Sequence, residues 1–305
     1  LQMRLENHLL LKSPFDLTAI HISLSQQEWE HQVVCGVDIA LHDTMGKALD
    51  VPLYQLLGGK YRDRIPFSYP LAACRNRTDV EANLMRIHRL QEQGHRTIRY
   101  YFGVDLDLDE LFLMKLRDKW GNAVEINALD ASGRFDCETA IGVIERFAPF
   151  GPSLVESPIK GRHQANVEDF ITVRKEVEIP IGEHVAEASV ATRLARHNAV
   201  DVFNVGIGYE GITACRKAFG LAEMFGIKVL LGSTVELSIG TAARAHLISA
   251  MPNLDFPCYP SGPLVYQEKI VKESVRYESG YIIVPGGPGL GVEVDENRLK
   301  AQRIW

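Results

Sequence analysis

Several common signatures are missing from this chain, and each absence removes a class of protein. No apolar run in the 305 residues approaches the roughly 20 needed to span a bilayer, and no signal-peptide pattern is visible. The five cysteines (Cys35, Cys74, Cys137, Cys215, Cys258) are scattered, odd in number and never in CxxC or CxxH spacing. That argues against a disulfide framework or a zinc ribbon and leads us to expect reduced, mostly buried thiols in a cytoplasmic protein. Positive charge is not in excess: 33 Lys and Arg against 39 Asp and Glu leave a net charge of −6. Neither nucleic acid nor an anionic membrane is therefore expected as partner. No GxGxxG follows the first strand-like run and no GxxxxGK[ST] occurs, which counts against nucleotide-binding open sheets. The first residue is Leu1, in the middle of a running pattern, so a further N-terminal piece is expected ahead of it.

What is present is a repeat. Short apolar, β-prone runs recur about one β/α unit apart: IPFSYPLA (65–72), TIRYYF (97–102), VEINALDA (124–131), SLVESP (153–158), IPIGEHV (179–185), VDVFNVG (200–206), KVLLGST (228–234) and LDFPCYP (254–260). Stretches of helical period lie between them. DVEANLMRIHRLQEQG (79–94) sets Val80, Leu84, Ile87 and Leu90 on one side, and GITACRKAFGLAEMFG (211–226) ends at a glycine, a favoured helix stop. Alternating β and α elements imply a parallel sheet, and eight units of this length favour a closed barrel. The ends differ. Residues 1–65 are mostly helical by period, with VVCGVDIALHDTMGKAL (33–49) the clearest case, and 277–305 holds the strand-and-turn stretch YIIVPGGPGLGVEVD. We expect 66–276 to be the barrel, and 1–65 completed by 277–305 to form a smaller α+β capping domain.

Barrel chemistry gathers at the C-terminal ends of the strands. Asp130, Glu156 and Glu183 close the third, fourth and fifth runs, 26 and 27 residues apart. Three like charges at one rim call for a cation, and an all-oxygen set points to a hard divalent ion, Mg²⁺. The bland alternative is three structural acids in a metal-free protein.

The stretches ALHDTMGKALDVPLYQLLGG (40–59), LDASGRFDCETAI (129–141), LVESPI (154–159), IPIGEHV (179–185), LGSTVELSIGTAARAHL (231–247) and VPGGPGLGVEVDE (284–296) together resemble the enolase superfamily. The nearest branch by this resemblance is the mandelate racemase and muconate lactonizing group. It implies a (β/α)₇β TIM-like barrel with an α+β cap. It also implies Mg²⁺ held by Asp130, Glu156 and Glu183, a carboxylic acid substrate, and a homo-oligomer. Ser132 stands where the family's DxN motif has Asn, and Ser157 where EEP has its second Glu. The shared chemistry is abstraction of the proton α to a carboxylate, with the metal stabilising the enediolate.

The proton-transfer groups depart from the pattern. Relatives end the second strand in KxK; the matching positions here are Arg99 and Tyr101. A second lysine is usual on the sixth strand, and its place is Gly206. Tyr101 is the first candidate acid or base, because a guanidinium favours the phenolate. Arg99 would supply that charge or bind a carboxylate. His184 is a further candidate because an imidazole can carry a proton, although alternation relative to Glu183 turns it the other way. Glu236 matches a glutamate that lactonizing members place after the seventh strand; its plain role is a carboxylate at a helix N-terminus. His163, near Lys160 and Arg162, sits in the loop after the fourth strand and is a solvated loop residue on the simpler view. With Gly206 leaving one face empty, these features favour a hydro-lyase, a dehydratase of a hydroxy or sugar acid. Alternatives are a racemase, a cycloisomerase of the muconate lactonizing type, and a degenerate protein that binds metal and carboxylate without turnover.

Overall fold

The computed structural model describes residues 2–26, 29–161, 167–185, 187–266 and 270–301. Its strands are β1 (Arg64–Pro66), β2 (Tyr69–Leu71), β3 (Thr97–Tyr101), β4 (Glu125–Asp130), β5 (Val155–Glu156), β6 (Ile181–Val185), β7 (Val202–Val205), β8 (Lys228–Leu231), β9 (Tyr277–Glu278) and β10 (Tyr281–Ile283). Strands β2 to β8 pair in sequence order, all parallel. The segment 255–259 closes the ring. On one side Asp255 N and Tyr259 N donate to Val229 and Leu231 carbonyls; on the other Cys258 N donates to Pro66 O, and Ser68 N to Cys258 O. This is the α/β barrel the repeat predicts.

Two runs do not form a single barrel strand each. LDFPCYP contributes only an isolated bridge, Cys258 to Phe67, because Pro257 and Pro260 have no N–H to offer a ladder. IPFSYPLA is two strands. Residues 64–66 form β1, antiparallel to β10, which also pairs β9, while 69–71 form β2 in the barrel. A continuous apolar run does not reveal a change of sheet.

The helices follow the predicted stripes. Arg77–Glu92 buries Val80, Leu84, Ile87 and Leu90 and is capped by Asn76, which accepts from Asp79 N. Ile207–Phe225 ends at Gly226 in the left-handed conformation, φ 67°, which glycine adopts without a steric penalty. The helix His31–Ala48 packs on the C-terminal loop. A Cβ on Gly46 would lie 2.7 Å from Gly289 Cα, and Leu53 N donates to Gly289 O. Asp38, fully buried on the same helix, accepts from Thr213 Oγ1 and from Ile212 N and meets His21 and His42. None of the five cysteines, all of them described residues, is in a disulfide. Burial pushes the Cys35 thiol up to about 11 and Cys258 to about 12.

The core has two main parts. The larger lies between strands and helices and includes Ile98, Tyr100 and Phe102. The smaller fills the barrel itself: Ala128, Leu154, Val202, Leu230 and Tyr259, with Phe256 against them. Strand side chains alternate, so the residues two positions on, Asp130, Glu156, Asn204 and Gly232, form the next layer towards the C-terminal rim.

Candidate active site

That layer is polar and almost sealed. Its centre is Arg99 on β3, only 2% exposed. Register pairs Arg99 with Ala128 and Tyr101 with Asp130, so the guanidinium rises from the apolar layer into the polar one. Arg99 Nε donates to Glu156 Oε2 at 3.1 Å and Nη2 to Glu156 Oε1 at 2.7 Å. The same Nη2 donates to Asp130 Oδ2, and Nη1 donates to Tyr101 Oη at 2.6 Å. The guanidinium carbon lies 4.5 Å from the Tyr101 ring centroid and 4.4 Å from that of Tyr259. Tyr101 is half-buried and so reaches the rim, while its neighbours Tyr100 and Phe102 are fully buried on the other face.

The two inward carboxylates are well supplied with donors. Glu156 Oε1 also accepts from Asn204 Nδ2 at 2.7 Å and lies 2.7 Å from His184 Nε2. Asp130 Oδ1 accepts from the backbone N and hydroxyl of Ser132, at 2.7 and 3.1 Å. Ser132 sits at φ 52° and Ser157 at φ 45°, so the chain bends away two residues after Asp130 and directly after Glu156. Burial alone raises a carboxylate pKa. At Glu156 the charge of Arg99 and the His184 contact outweigh it and hold the carboxyl well below its usual range. Burial likewise lowers the Arg99 pKa, but Glu156 and Asp130 more than reverse that and lock the positive charge in place. The Tyr259 phenol is pushed well up by burial and by Glu156.

Not every expected residue joins this cluster. Register pairs Glu156 with Gly182, so His184, two residues on, shares the inward face, and Glu183 alternates to the other. Glu183 Oε1 accepts from Ser157 Oγ at 2.8 Å and from His184 N at 2.6 Å. The residue expected to turn outward is thus the one that meets Glu156. Glu236 is engaged elsewhere: Oε2 accepts from Ser233 Oγ and Thr234 N, and Oε1 pairs with the buried Arg244 at 3.0 Å. Arg162 and His163 lie outside the described residues; Lys160 is exposed. Gly206 precedes the helix Ile207–Phe225 and offers no side chain. Two contributors went unnoticed in the sequence. Asn204 fits only because residue 232 is glycine, where a Cβ would lie 2.0 Å from Asn204 Oδ1. Tyr259 belongs to the eighth run, in the apolar layer directly beneath the polar one.

The barrel and its rim of acids define the class: a TIM-barrel enzyme with an acid-rich site at the strand ends. The profile of the Enolase C-terminal domain-like family matches residues 83–298. Muconate cycloisomerase 1 of Rhodococcus opacus is 30% identical over 273 residues, 87% of this chain and 70% of that protein. Chloromuconate cycloisomerase of Pseudomonas putida is 29% identical over 267 residues, 87% and 71% of the two chains. The crystal structure of 2-chloromuconate cycloisomerase from Rhodococcus opacus 1CP superposes with a TM-score of 0.89 at 26% identity, covering 97% of this chain and 81% of that one. The chain belongs to the enolase superfamily, in its mandelate racemase and muconate lactonizing group, and is an enzyme of the lyase or isomerase kind. Among the described residues, no helix is long and apolar enough to cross a membrane.

Members of this superfamily usually use Mg²⁺. The residues as arranged here do not fit it. Asp130 and Glu156 enclose a guanidinium, and Glu183, on the alternate face of β6 by register, accepts from Ser157 Oγ. Among the described residues no three His, Cys, Asp or Glu side chains are grouped to hold a metal ion.

Proposed function

We propose that the chain is an isomerase of the cycloisomerase type acting on an unsaturated dicarboxylate of the muconate class, with Tyr101 as its proton carrier. Relatives named as muconate and chloromuconate cycloisomerases support this over dehydration of a hydroxy or sugar acid. The reasoning that favoured dehydration, one face empty at Gly206, serves a cycloisomerase equally well. There the nucleophile is the substrate's own carboxylate, so one protein group suffices for the proton.

The observation that carries the reading is the Arg99 Nη1 to Tyr101 Oη hydrogen bond at 2.6 Å, with the phenol at the rim and the guanidinium below it. In the proposed step an oxygen of one substrate carboxylate bonds to an alkene carbon conjugated with the second carboxylate. The π pair shifts onto the carbon α to that second carboxylate. Tyr101 gives its proton to this carbon and is left as a phenolate beside Arg99, which favours the anion. Water restores the phenol. No atom leaves the substrate; one proton is gained as the lactone forms.

Loss of the diene chromophore in a panel of muconates, followed in the ultraviolet, tests the reading. Tyr101→Phe is expected to lower kcat by about 10²-fold or more, the scale of one positioned acid, while leaving the fold intact. A Tyr101→Phe rate within a few-fold of the parent removes Tyr101 as proton carrier, and no turnover of any muconate by the parent removes the reaction.

A further inference from the structure

We propose that Arg99 is the resident cation of this site: its guanidinium takes the place between Asp130 and Glu156 that a divalent ion would need, and the site is neutralised without metal. This stands whether or not muconates prove to be the substrate.

Four observations converge. The first is valence. Glu156 Oε1 already receives Arg99 Nη2, Asn204 Nδ2 and the His184 contact, and Oε2 receives Arg99 Nε. Asp130 Oδ1 receives both donors of Ser132, and Oδ2 receives Arg99. Mg²⁺ demands near-octahedral oxygens at about 2.0–2.1 Å, and these oxygens point at N–H groups instead. The second is the clamp on the cation. The guanidinium lies 4.5 and 4.4 Å from the ring centroids of Tyr101 and Tyr259, an attractive arrangement that strengthens out of water. Tyr259 is itself 1% exposed and tied to β8 through its backbone.

The third is strand parity. The third oxygen ligand that a metal would want, Glu183, is turned to the opposite face and held by Ser157 Oγ. The place it leaves is filled by His184, whose imidazole addresses Glu156. The fourth is the room made for Asn204. Gly232 carries no side chain where any Cβ would overlap the Asn204 amide, and that amide takes one more Glu156 acceptor position. A planar, permanently charged fork suits two carboxylates at once. Displacing it would leave two buried carboxylates without their cation, a costly arrangement out of water.

Only one Arg99 N–H, the second on Nη1, is left over by the bonds described. It lies beside Tyr101 Oη and is where an incoming carboxylate would be recognised. The ligand's anchor in this proposal is therefore a guanidinium and a phenol rather than a metal.

The test uses the full chain and MgCl₂ as probe, read by melting temperature and by titration calorimetry. These readouts do not depend on turnover, so failure here is distinct from failure of the proposed reaction. The parent is expected to show no saturable Mg²⁺ heat, and a melting temperature that neither 10-fold changes in MgCl₂ nor EDTA alters. Arg99→Ala is expected to be less stable and to recover stability saturably with MgCl₂, an effect that a further Asp130→Asn removes. Saturable Mg²⁺ binding by the parent, lost in Asp130→Asn, overturns the proposal. So does an Arg99→Ala protein as stable as the parent. If Arg99→Ala does not fold, the parent titration decides alone.

Discussion

The close approach of Gly232 to Asn204 allows one perturbation to be worked through from the structure. Replacing Gly232 by Ala puts a Cβ 2.0 Å from Asn204 Oδ1 and 3.0 Å from its Cγ. The backbone of Gly232 is not left-handed, so the alanine itself is not strained; only the collision matters. Asn204 is 1% exposed and has little room to retreat. Moving it breaks the 2.7 Å hydrogen bond from Nδ2 to Glu156 Oε1. A hydrogen bond to a charged group contributes about 1.5–3 kcal/mol, and overpacking adds about 1–3 kcal/mol. The expected loss is thus roughly 2.5–6 kcal/mol in urea denaturation. A double-mutant cycle isolates the cause. Asn204→Ala removes both the obstacle and the bond, so adding Gly232→Ala to it should cost little, leaving a coupling of at least about 1 kcal/mol. A single Gly232→Ala within about 0.5 kcal/mol of the parent, or strictly additive costs, would refute the reasoning.

Two further outcomes are expected away from the site. His246 is buried against Tyr54, whose backbone N donates to its Nδ1, and burial lowers its pKa from 6.5 to about 4. The unfolded chain therefore takes up this proton near pH 6.5 and the folded one only near pH 4. The neutral form's stability is complete above pH 6.5 and lost as pH falls towards 4, by about 3 kcal/mol. His246→Asn should flatten that limb of a stability–pH curve, and an unchanged slope would show that His246 is not its source. Gly46→Ala should destabilise by about 1–3 kcal/mol even though alanine gains about 1 kcal/mol of helix propensity. The atoms it meets, Gly289 Cα and N and Val51 O, are all backbone and cannot turn aside. A melting temperature at or above the parent's would contradict this packing of helix on loop.

Much of the fold was readable because its signal is periodic. Eight β-prone runs one unit apart, with helical stripes such as Val80, Leu84, Ile87 and Leu90, leave little choice but a barrel. Position within a run was harder to read. All five residues of β6 are buried, so no polar alternation marks which of Glu183 and His184 points inward; only the register with Glu156 decides it. Spacing along the chain placed three acids near one rim but could not show that an arginine from the neighbouring strand β3 would enter between two of them. Arg99 and Tyr101 were recognisable as an odd polar face on an apolar strand. Their partners Asn204 and Tyr259 come from β7 and the closing segment, joined to them only by closure of the barrel.

The central claim, that a guanidinium rather than a metal sits between Asp130 and Glu156, has a direct test in crystals grown or soaked with MnCl₂, where Mn²⁺ reports its position by anomalous scattering. The expected result is no anomalous peak at the strand ends and Arg99 density bridging the two carboxylates. A peak within about 2.2 Å of oxygens of Asp130 and Glu156, with Arg99 swung away, would contradict it.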